Sequence, residues 1–235
     1  MLGATVQEGD APGRRVIALV PKSEVKVIDV WHVTGLTGTG SNNLEAKDLR
    51  VRSEWVVDAE SLSNATAPGL TVNKSAIFRA PIFGLFPHLV ATVILGNAKG
   101  GYDEFIAGAA KRKTTYARLS PAQLVPLQLR IAEVDALITS GRLLVRADAR
   151  EAMEIARTGK AAPMSDQIRW RRNAAFAAKQ GTKAMDLLFA AYGGGGIYKN
   201  NHAQQRFRDA HAATSHIQAS WDINAPEFGR QALGA

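Results

Sequence analysis

The feature that most constrains this chain is a change in the period of its apolar residues. Up to about residue 58 they come in short β-rich runs. One covers Arg15 to Val20 and ends at Pro21, and a second holds Val25, Val27, Ile28 and Val30 and ends in Trp31. Further pieces follow over Leu44 to Val51 and Trp55 to Val57. Runs of this kind suit strands. From about Arg79 the apolar positions recur every three or four residues, which suits helices that bury one face. Between the two regimes, Asp58 to Ser75 is rich in Ser, Asn, Ala, Thr and Gly and is expected to connect them. The organisation this predicts is a partial β-domain over 1–58, a linker over 59–77 and a C-terminal helical bundle over 78–235.

Local signals divide the second part. A first helix is expected to run to about Lys113, with Pro87 in its first turn. Ser120-Pro121-Ala122-Gln123 has the form of a capping box, although Pro126 allows the start to slip to Val125. Leu127, Ile131, Val134, Ile138 and Val145 then mark one face as far as about Ala156. Pro163 and Ser165 signal the next start, followed by Ile168, Ala175, Ala178, Met185, Leu188 and Tyr192 on one face. Phe207, Ala210, Thr214, Ile217 and Trp221 give a last helix, and the tail after Ala225 is expected to be irregular. Four helices with mostly short connections predict a mainly α fold, an antiparallel four-helix bundle preceded by a partial β-domain.

Composition narrows the chemistry. With 235 residues, 46% of them hydrophobic and 21% charged, the chain is of ordinary globular make-up. Its 29 basic and 21 acidic residues leave a net charge of +8. The basic residues are scattered, and no aromatic platform interleaves with the short Lys111-Arg112-Lys113 cluster. That argues against nucleic acid and for a small anionic ligand. There is no cysteine, which excludes disulfides, thiolate catalysis and cysteine-ligated metals. No HExxH or Glu-x-x-His pair occurs, so no metal site is expected. The N-terminal residues lack the form of a signal peptide, which points to a cytoplasmic protein. The most apolar run, Ile82 to Leu95, is interrupted by Pro87 and His88 and falls short of the ~20 residues of a membrane span. It reads as a buried helix, and no membrane partner is expected.

The densest chemistry lies between Ala191 and Trp221. Four glycines, Gly193 to Gly196, lead into a helix carrying Arg206, Arg208, Asp209 and His211, with His216 beyond. Glycine lets a backbone approach a ligand closely, and the helix start after it suits an anion. Asp209 and His216 are seven residues apart, about two turns or ~10 Å on a helix, so they are no hydrogen-bonded dyad by themselves. His32 and His88 are isolated and read as structural or surface histidines; His202 follows the glycine loop. Gly35-Leu36-Thr37-Gly38-Thr39-Gly40 is not a dinucleotide fingerprint and reads as a turn.

Trp31 to Val57, with its Gly-Thr-Gly-Ser turn, resembles the second half of the β-domain of acyl-CoA dehydrogenase-like flavoproteins, and Ile82 to His216 resembles their C-terminal bundle. The resemblance rests on Arg112-Lys113-Thr114, the run Leu129 to Glu133, Ala190 to Gly194, and Arg206-Phe207-Arg208-Asp209-Ala210. It implies a flavin, FMN or FAD, bound near subunit contacts of a homotetramer; because half of the expected β-domain is missing, unpaired strand edges are expected to favour a homo-oligomer, a dimer or tetramer through the bundle helices. True acyl-CoA dehydrogenases carry a catalytic glutamate shortly after the Arg-Asp-Ala run. Here that stretch reads Thr214-Ser215-His216-Ile217-Gln218, which looks like the oxygenase components of two-component flavin monooxygenases. Those hydroxylate phenols and related compounds with O2 and with reduced flavin supplied by a separate reductase. Carried over, His216 is the catalytic candidate, as base or hydrogen-bond donor. Gly194 and Gly195 would contact the flavin, and Arg112 would face its phosphate. His216 is expected to point inward from the last helix, partly buried. Its neighbours Asp209, Ala212, Ala213 and Ser220 are small or polar and leave room for a ring system.

The same resemblance implies an N-terminal helical domain and a first half of the β-domain, neither of which is in this sequence. Activity in isolation is therefore not expected. The alternatives are an acyl-CoA dehydrogenase-type enzyme, or a non-catalytic bundle acting in assembly.

Overall fold

The computed structural model describes residues 1–7, 9–10, 13–109 and 119–234. They form two compact units, one of residues 1–33, 37–84 and 151–163, the other of 34–36, 85–150 and 164–235.

The first unit holds the strands. Strand β1 (Leu2–Val6), which the sequence reading missed, pairs antiparallel with β2 (Arg14–Ala18). Val16 and Ala18 on β2 are buried. Strands β3 (Lys26–Ile28) and β4 (Asn43–Glu45) form a separate antiparallel ribbon, and β5 (Val56–Asp58) pairs with β2. Past β5, Asp58 accepts the Glu60 N–H at 2.8 Å and a hydrogen bond from Arg14 at 3.1 Å. These two contacts hold its carboxyl below its ordinary range. The connector predicted after Asp58 contains three short 3-10 turns, Glu60–Leu62, Pro68–Thr71 and Ala76–Arg79.

The second unit is built on four helices: α1 (Ile82–Ala109), α2 (Val125–Arg157), α3 (Met164–Tyr192) and α4 (His202–Thr214). Pro87 lies inside α1 rather than in its first turn, because Pro81 already precedes the helix start. It removes one backbone donor and is itself fully buried. Ahead of α2 the predicted capping box is half present. Gln123 Oε1 accepts the Ser120 N–H at 2.9 Å, Pro121–Gln123 forms a 3-10 turn, and the α-helix starts at Val125.

Two layers of core show the antiparallel order. One layer joins Ala91, Ile94 and Leu95 of α1, Val145 of α2, Ala174, Ala177 and Ala178 of α3, and Ala213 of α4. The other joins Ala98 and Phe105, then Val134 and Ile138, then Ala184, Met185 and Leu188, then Ala210. Residue numbers rise from the first layer to the second in α1 and α3, and fall in α2 and α4. The helices therefore run up, down, up and down. The alanines let the helices approach, and Gly181 of α3 lies against α1. A Cβ there would lie 2.9 Å from Ile94 Cγ2 and 3.3 Å from the Ile94 carbonyl carbon. By length and apolar composition α1 alone among the described helices could cross a membrane, but in this fold it supplies a core face of the bundle.

The end of the chain differs from expectation. Helix α4 stops at Thr214 with Ser215 as its C-cap, and the Phe207-to-Trp221 spacing continues across a turn rather than along one helix. Beyond the turn comes α5 (Trp221–Asn224), and α6 (Pro226–Leu233) replaces the irregular tail expected after Ala225, with Pro226 at its first position and Gly234 closing it in the left-handed conformation. Phe228 of α6 lies under the Arg172 guanidinium of α3, 3.9 Å from it.

Candidate functional site

The glycine run folds as a 3-10 turn, Gly193–Ile197, in which Gly193 takes a φ of +58°. Gly196 is buried against Tyr192 and Phe189. Gly194 and Gly195 are exposed, and a Cβ at either would meet nothing within 4 Å. Packing within this chain does not require glycine at those two positions; close approach of something else would. A wide cleft of about 460 Å³, lined by Glu104, Tyr192, Asn200, Asn201 and His202, flanks the turn. The start of α4 is less available to an anion than the sequence suggests. Asn201 accepts the Ala203 N–H at 2.9 Å and donates to the Gly195 carbonyl at 2.9 Å, so it caps the helix and ties it to the turn. Arg112 lies outside the described residues.

The Arg-x-Arg-Asp-Ala run is a set of clamps. Arg206 forms two hydrogen bonds to Glu104 of α1, at 3.1 and 2.6 Å, and a third to Asn97 Oδ1 at 3.2 Å. Arg208 donates to the Thr34 carbonyl and to Gln204. Asp209 Oδ1 accepts the Leu36 N–H at 2.7 Å. Ala210 is core. Between the Arg208 and Asp209 attachments lies Gly35, so close to α4 that a Cβ would sit 2.3 Å from the Arg208 carbonyl oxygen and 2.9 Å from Ala212 Cβ. The glycine read from sequence as part of a plain turn is therefore a close-approach glycine. Gly35→Ala should destabilise the protein by roughly 2–4 kcal/mol, through overpacking and strain on the Leu36–Asp209 bond. Urea unfolding measures this, and an unchanged midpoint would show that the turn simply moves away.

Arg206 holds the Glu104 carboxyl below its ordinary value of 4.5, by hydrogen bonding first and by charge second. Because the folded-state value is depressed, the stabilisation is fully present above about pH 4.5 and is lost as pH falls through the lower folded value. The difference in melting temperature between the parent and Glu104→Gln should therefore be largest near neutral pH and shrink below about pH 4.5. A constant difference down to about pH 3 would contradict this. The contact is partly open to water, so the effect is modest.

His216 is not on a helix and is not partly buried. It sits exposed in the turn after α4, because α4 ends one residue earlier at its Ser215 cap. Its Nδ1 accepts the Gln218 N–H at 3.1 Å. In the neutral ring the proton is then on Nε2, which is left as a donor. Asn224, itself buried, donates from Nδ2 to the Ile217 carbonyl at 3.0 Å and the Ser220 carbonyl at 2.8 Å, and so shapes the turn. A cavity of about 110 Å³ is lined by Leu36, Val93, Ile94, Asn97, Asp209, Ala210 and Ala213. His216 does not line it.

The other histidines are structural or peripheral. His88 is buried and hydrogen-bonded through Nε2 to Asp148 at 2.9 Å. His211 bonds Asp186 of α3 at 2.8 Å and lies against the Phe207 ring. His202, the first residue of α4, is exposed at the cleft, and His32 is exposed.

An up-and-down bundle whose fourth helix leaves a glycine turn and is clamped through Arg206, Arg208 and Asp209 is the kind of domain that ends acyl-CoA dehydrogenase-like proteins. The model of the acyl-CoA dehydrogenase C-terminal domain matches residues 88–221, more than half of the chain, and the chain belongs to that family. It is 29% identical over 217 residues to the flavin-dependent monooxygenase oxygenase subunit HsaA of Rhodococcus jostii (strain RHA1), covering 92% of this chain and 57% of that protein. It is 31% identical over 244 residues to the oxygenase component of the FADH(2)-dependent resorcinol hydroxylase of Rhizobium sp. (strain MTP-10005), covering 99% of this chain and 60% of that protein. The crystal structure of 3-HSA hydroxylase from Rhodococcus sp. RHA1 superposes with a TM-score of 0.90 at 28% identity, over 99% of this chain and 60% of the other. The chain thus spans about three-fifths of the length of these relatives.

Proposed function

We propose that this chain serves in the oxygenase component of a two-component, flavin-dependent monooxygenase that hydroxylates a phenol or related aromatic compound. The observation that carries this reading is the content of the turn after α4. Where the dehydrogenase branch has a catalytic glutamate, Thr214 to Gln218 offers a histidine and no carboxylate. The relatives that are oxygenase components support the same reading.

Gly194 and Gly195 fit a flavin, since both present bare backbone beside the open cleft and neither is needed for internal packing. Arg112 is assigned to its phosphate, for which a guanidinium fork is suited. Bound reduced flavin would supply the oxygen-activating chemistry. The chain's own share is to hold it close and to present the His216 Nε2–H toward an oxygen that gains charge as the ring is hydroxylated. The reduced flavin comes from a separate reductase, in the cytoplasm. Assembly into a dimer or tetramer is supported by an exposed apolar stripe on α2, formed by Val125, Leu129 and Leu143.

Anaerobic titration with reduced FMN and with FADH2 tests the reading. Uptake of one of them is expected, and Gly194→Ala and Gly195→Ala should weaken it with unchanged melting temperature, because the added Cβ meets nothing within 4 Å in the fold itself. Failure of the chain to take up either flavin overturns the proposal. Light scattering that shows a stable monomer at micromolar concentration would remove the assembly part.

A further inference from the structure

One peptide unit in the turn after α4 is held from both sides. A trans peptide is planar, and its C=O and N–H point in opposite directions. In the unit that joins Ile217 to Gln218, the N–H donates to His216 Nδ1 at 3.1 Å, and the C=O accepts from Asn224 Nδ2 at 3.0 Å. The two bonds stand or fall together, because turning the plane over breaks both. Backbone bonds fix the rest of the turn. The His216 N–H reaches the Ala213 carbonyl at 3.1 Å, and the His216 carbonyl accepts the N–H groups of Ala219 at 2.8 Å and Ser220 at 3.1 Å. Neither the Ile217 carbonyl nor the Gln218 N–H takes part in these bonds.

Asn224 is buried, and its amide is oriented by what surrounds it. Nδ2 also donates to the Ser220 carbonyl at 2.8 Å and lies 3.4 Å from the Gln218 carbonyl, so the donor end faces carbonyl oxygens. Oδ1 accepts from Nε of Arg171 on α3 at 3.4 Å. The opposite amide orientation would set oxygen against oxygen and NH2 against a guanidinium. Trp221, which opens α5, packs on Phe176 of α3 with ring centroids 6.0 Å apart, and Lys179 Nζ lies 4.9 Å from its ring. These contacts seat α5 on α3 without the Asn224 side chain.

We propose that Asn224 is a positioning residue that sets the tautomer of His216: by holding the Ile217 carbonyl it keeps the Gln218 N–H on Nδ1, and so keeps the ring proton on Nε2. The inference rests on the hydroxylase reading for its consequence in catalysis, since there it decides whether Nε2 donates or accepts. With the plane turned over, the Ile217 carbonyl would face the ring, Nδ1 would carry the proton, and Nε2 would be the acceptor.

Two substitutions act on the plane differently. Asn224→Ala removes the hold and leaves both orientations open. Asn224→Asp keeps an acceptor for Arg171 but sets a second oxygen against the Ile217 carbonyl, and the plane is expected to turn so that the Gln218 N–H meets the new carboxylate. The test is the nitrogen NMR spectrum of the histidine rings in the purified 235-residue protein, at about pH 8.5, where an ordinary imidazole is neutral. The His216 resonances are those that disappear in His216→Ala. In the parent, Nδ1 is expected at the unprotonated position and Nε2 at the protonated one. In Asn224→Ala the two should move toward each other, and exchange of the Gln218 amide proton should quicken about tenfold. In Asn224→Asp their order should reverse. Melting temperatures show whether each variant is folded. A parent with its proton on Nδ1 overturns the proposal without recourse to any variant. So do resonances unchanged in both folded variants, which would leave Asn224 a structural role alone. The measurement needs no flavin. Failure of flavin uptake therefore sinks the hydroxylase reading and leaves this inference standing, while flavin uptake with an unchanged tautomer in both variants does the reverse.

Discussion

His216→Ala is expected to slow aromatic hydroxylation by about 10²- to 10³-fold while flavin uptake stays at the parent level. The assay is product formation in a longer polypeptide that contains this chain, with reduced flavin supplied enzymatically. The size follows from the role that the turn geometry supports. The Gln218 N–H points at Nδ1, so the neutral ring carries its proton on Nε2 and donates rather than accepts there. A fixed donor aimed at an oxygen that gains charge is typically worth that much, because it needs no reorganisation as the reaction proceeds. The companion variant is His216→Gln, whose side-chain amide N–H can stand near the position of Nε2. If the imidazole donates, the glutamine enzyme should recover most of the rate. If it acts as a base, glutamine should be as slow as alanine, and the pH–rate profile should lose a limb that the parent shows. An alanine enzyme that hydroxylates at the parent rate would remove His216 from the chemistry altogether.

The second large effect concerns stability. Asp148→Ala should destabilise the helical unit by about 3–5 kcal/mol. On the size scaling for a protein of this length, that is a drop in melting temperature on the order of 10 °C. Asp148 is buried on α2 and is the acceptor for two other helices: His88 Nε2 of α1 at 2.9 Å and Asn173 Nδ2 of α3 at 2.9 Å. Arg169 of α3 approaches the same carboxylate at 3.8 Å. Without it, His88 and Asn173, both buried, lose their common acceptor, and leaving such groups unmet costs more than the bonds contribute when made. Asp148→Asn keeps one acceptor oxygen but sets an NH2 group against the second donor, so it should lose a substantial part of the same stability. Thermal and urea unfolding of both variants measure this, and a shift under 1 kcal/mol for the alanine variant would mean that the cluster repacks.

Much of the bundle was legible because burial follows a period. Val134, Ile138, Met185 and Leu188 were placed on core faces by spacing alone, and all four are buried. What spacing could not show was where α4 ends. Phe207, Ala210, Thr214, Ile217 and Trp221 keep a helical interval through a turn that is no helix. The turn is held by Asn224, whose side chain reaches back four and seven residues to backbone carbonyls. No local propensity encodes such a bond, so His216 was read onto an inner helical face and proved to be exposed. Gly35 was misread for a related reason. Its neighbour in space is the backbone of Arg208, far along the chain, and only the fold reveals that nothing larger than hydrogen fits there. The opposite holds at Gly194 and Gly195, where the fold supplies no neighbour at all, and the glycine signal in the sequence points outside the chain.

The dependence of the His216 turn on Asn224 also sets an order of events. Synthesis proceeds from the N-terminus, and folding can begin before the chain is complete. The clamps made by Arg206, Arg208 and Asp209 draw only on residues up to 209. The turn, by contrast, has to wait for Asn224, which is in turn hydrogen-bonded by Arg171 of α3 at 3.4 Å. The proposed catalytic histidine is therefore among the last side chains of the bundle to take its position as the chain emerges. A polypeptide that ended before Asn224 would carry the clamps on α4 but none of the Asn224 bonds that shape the turn.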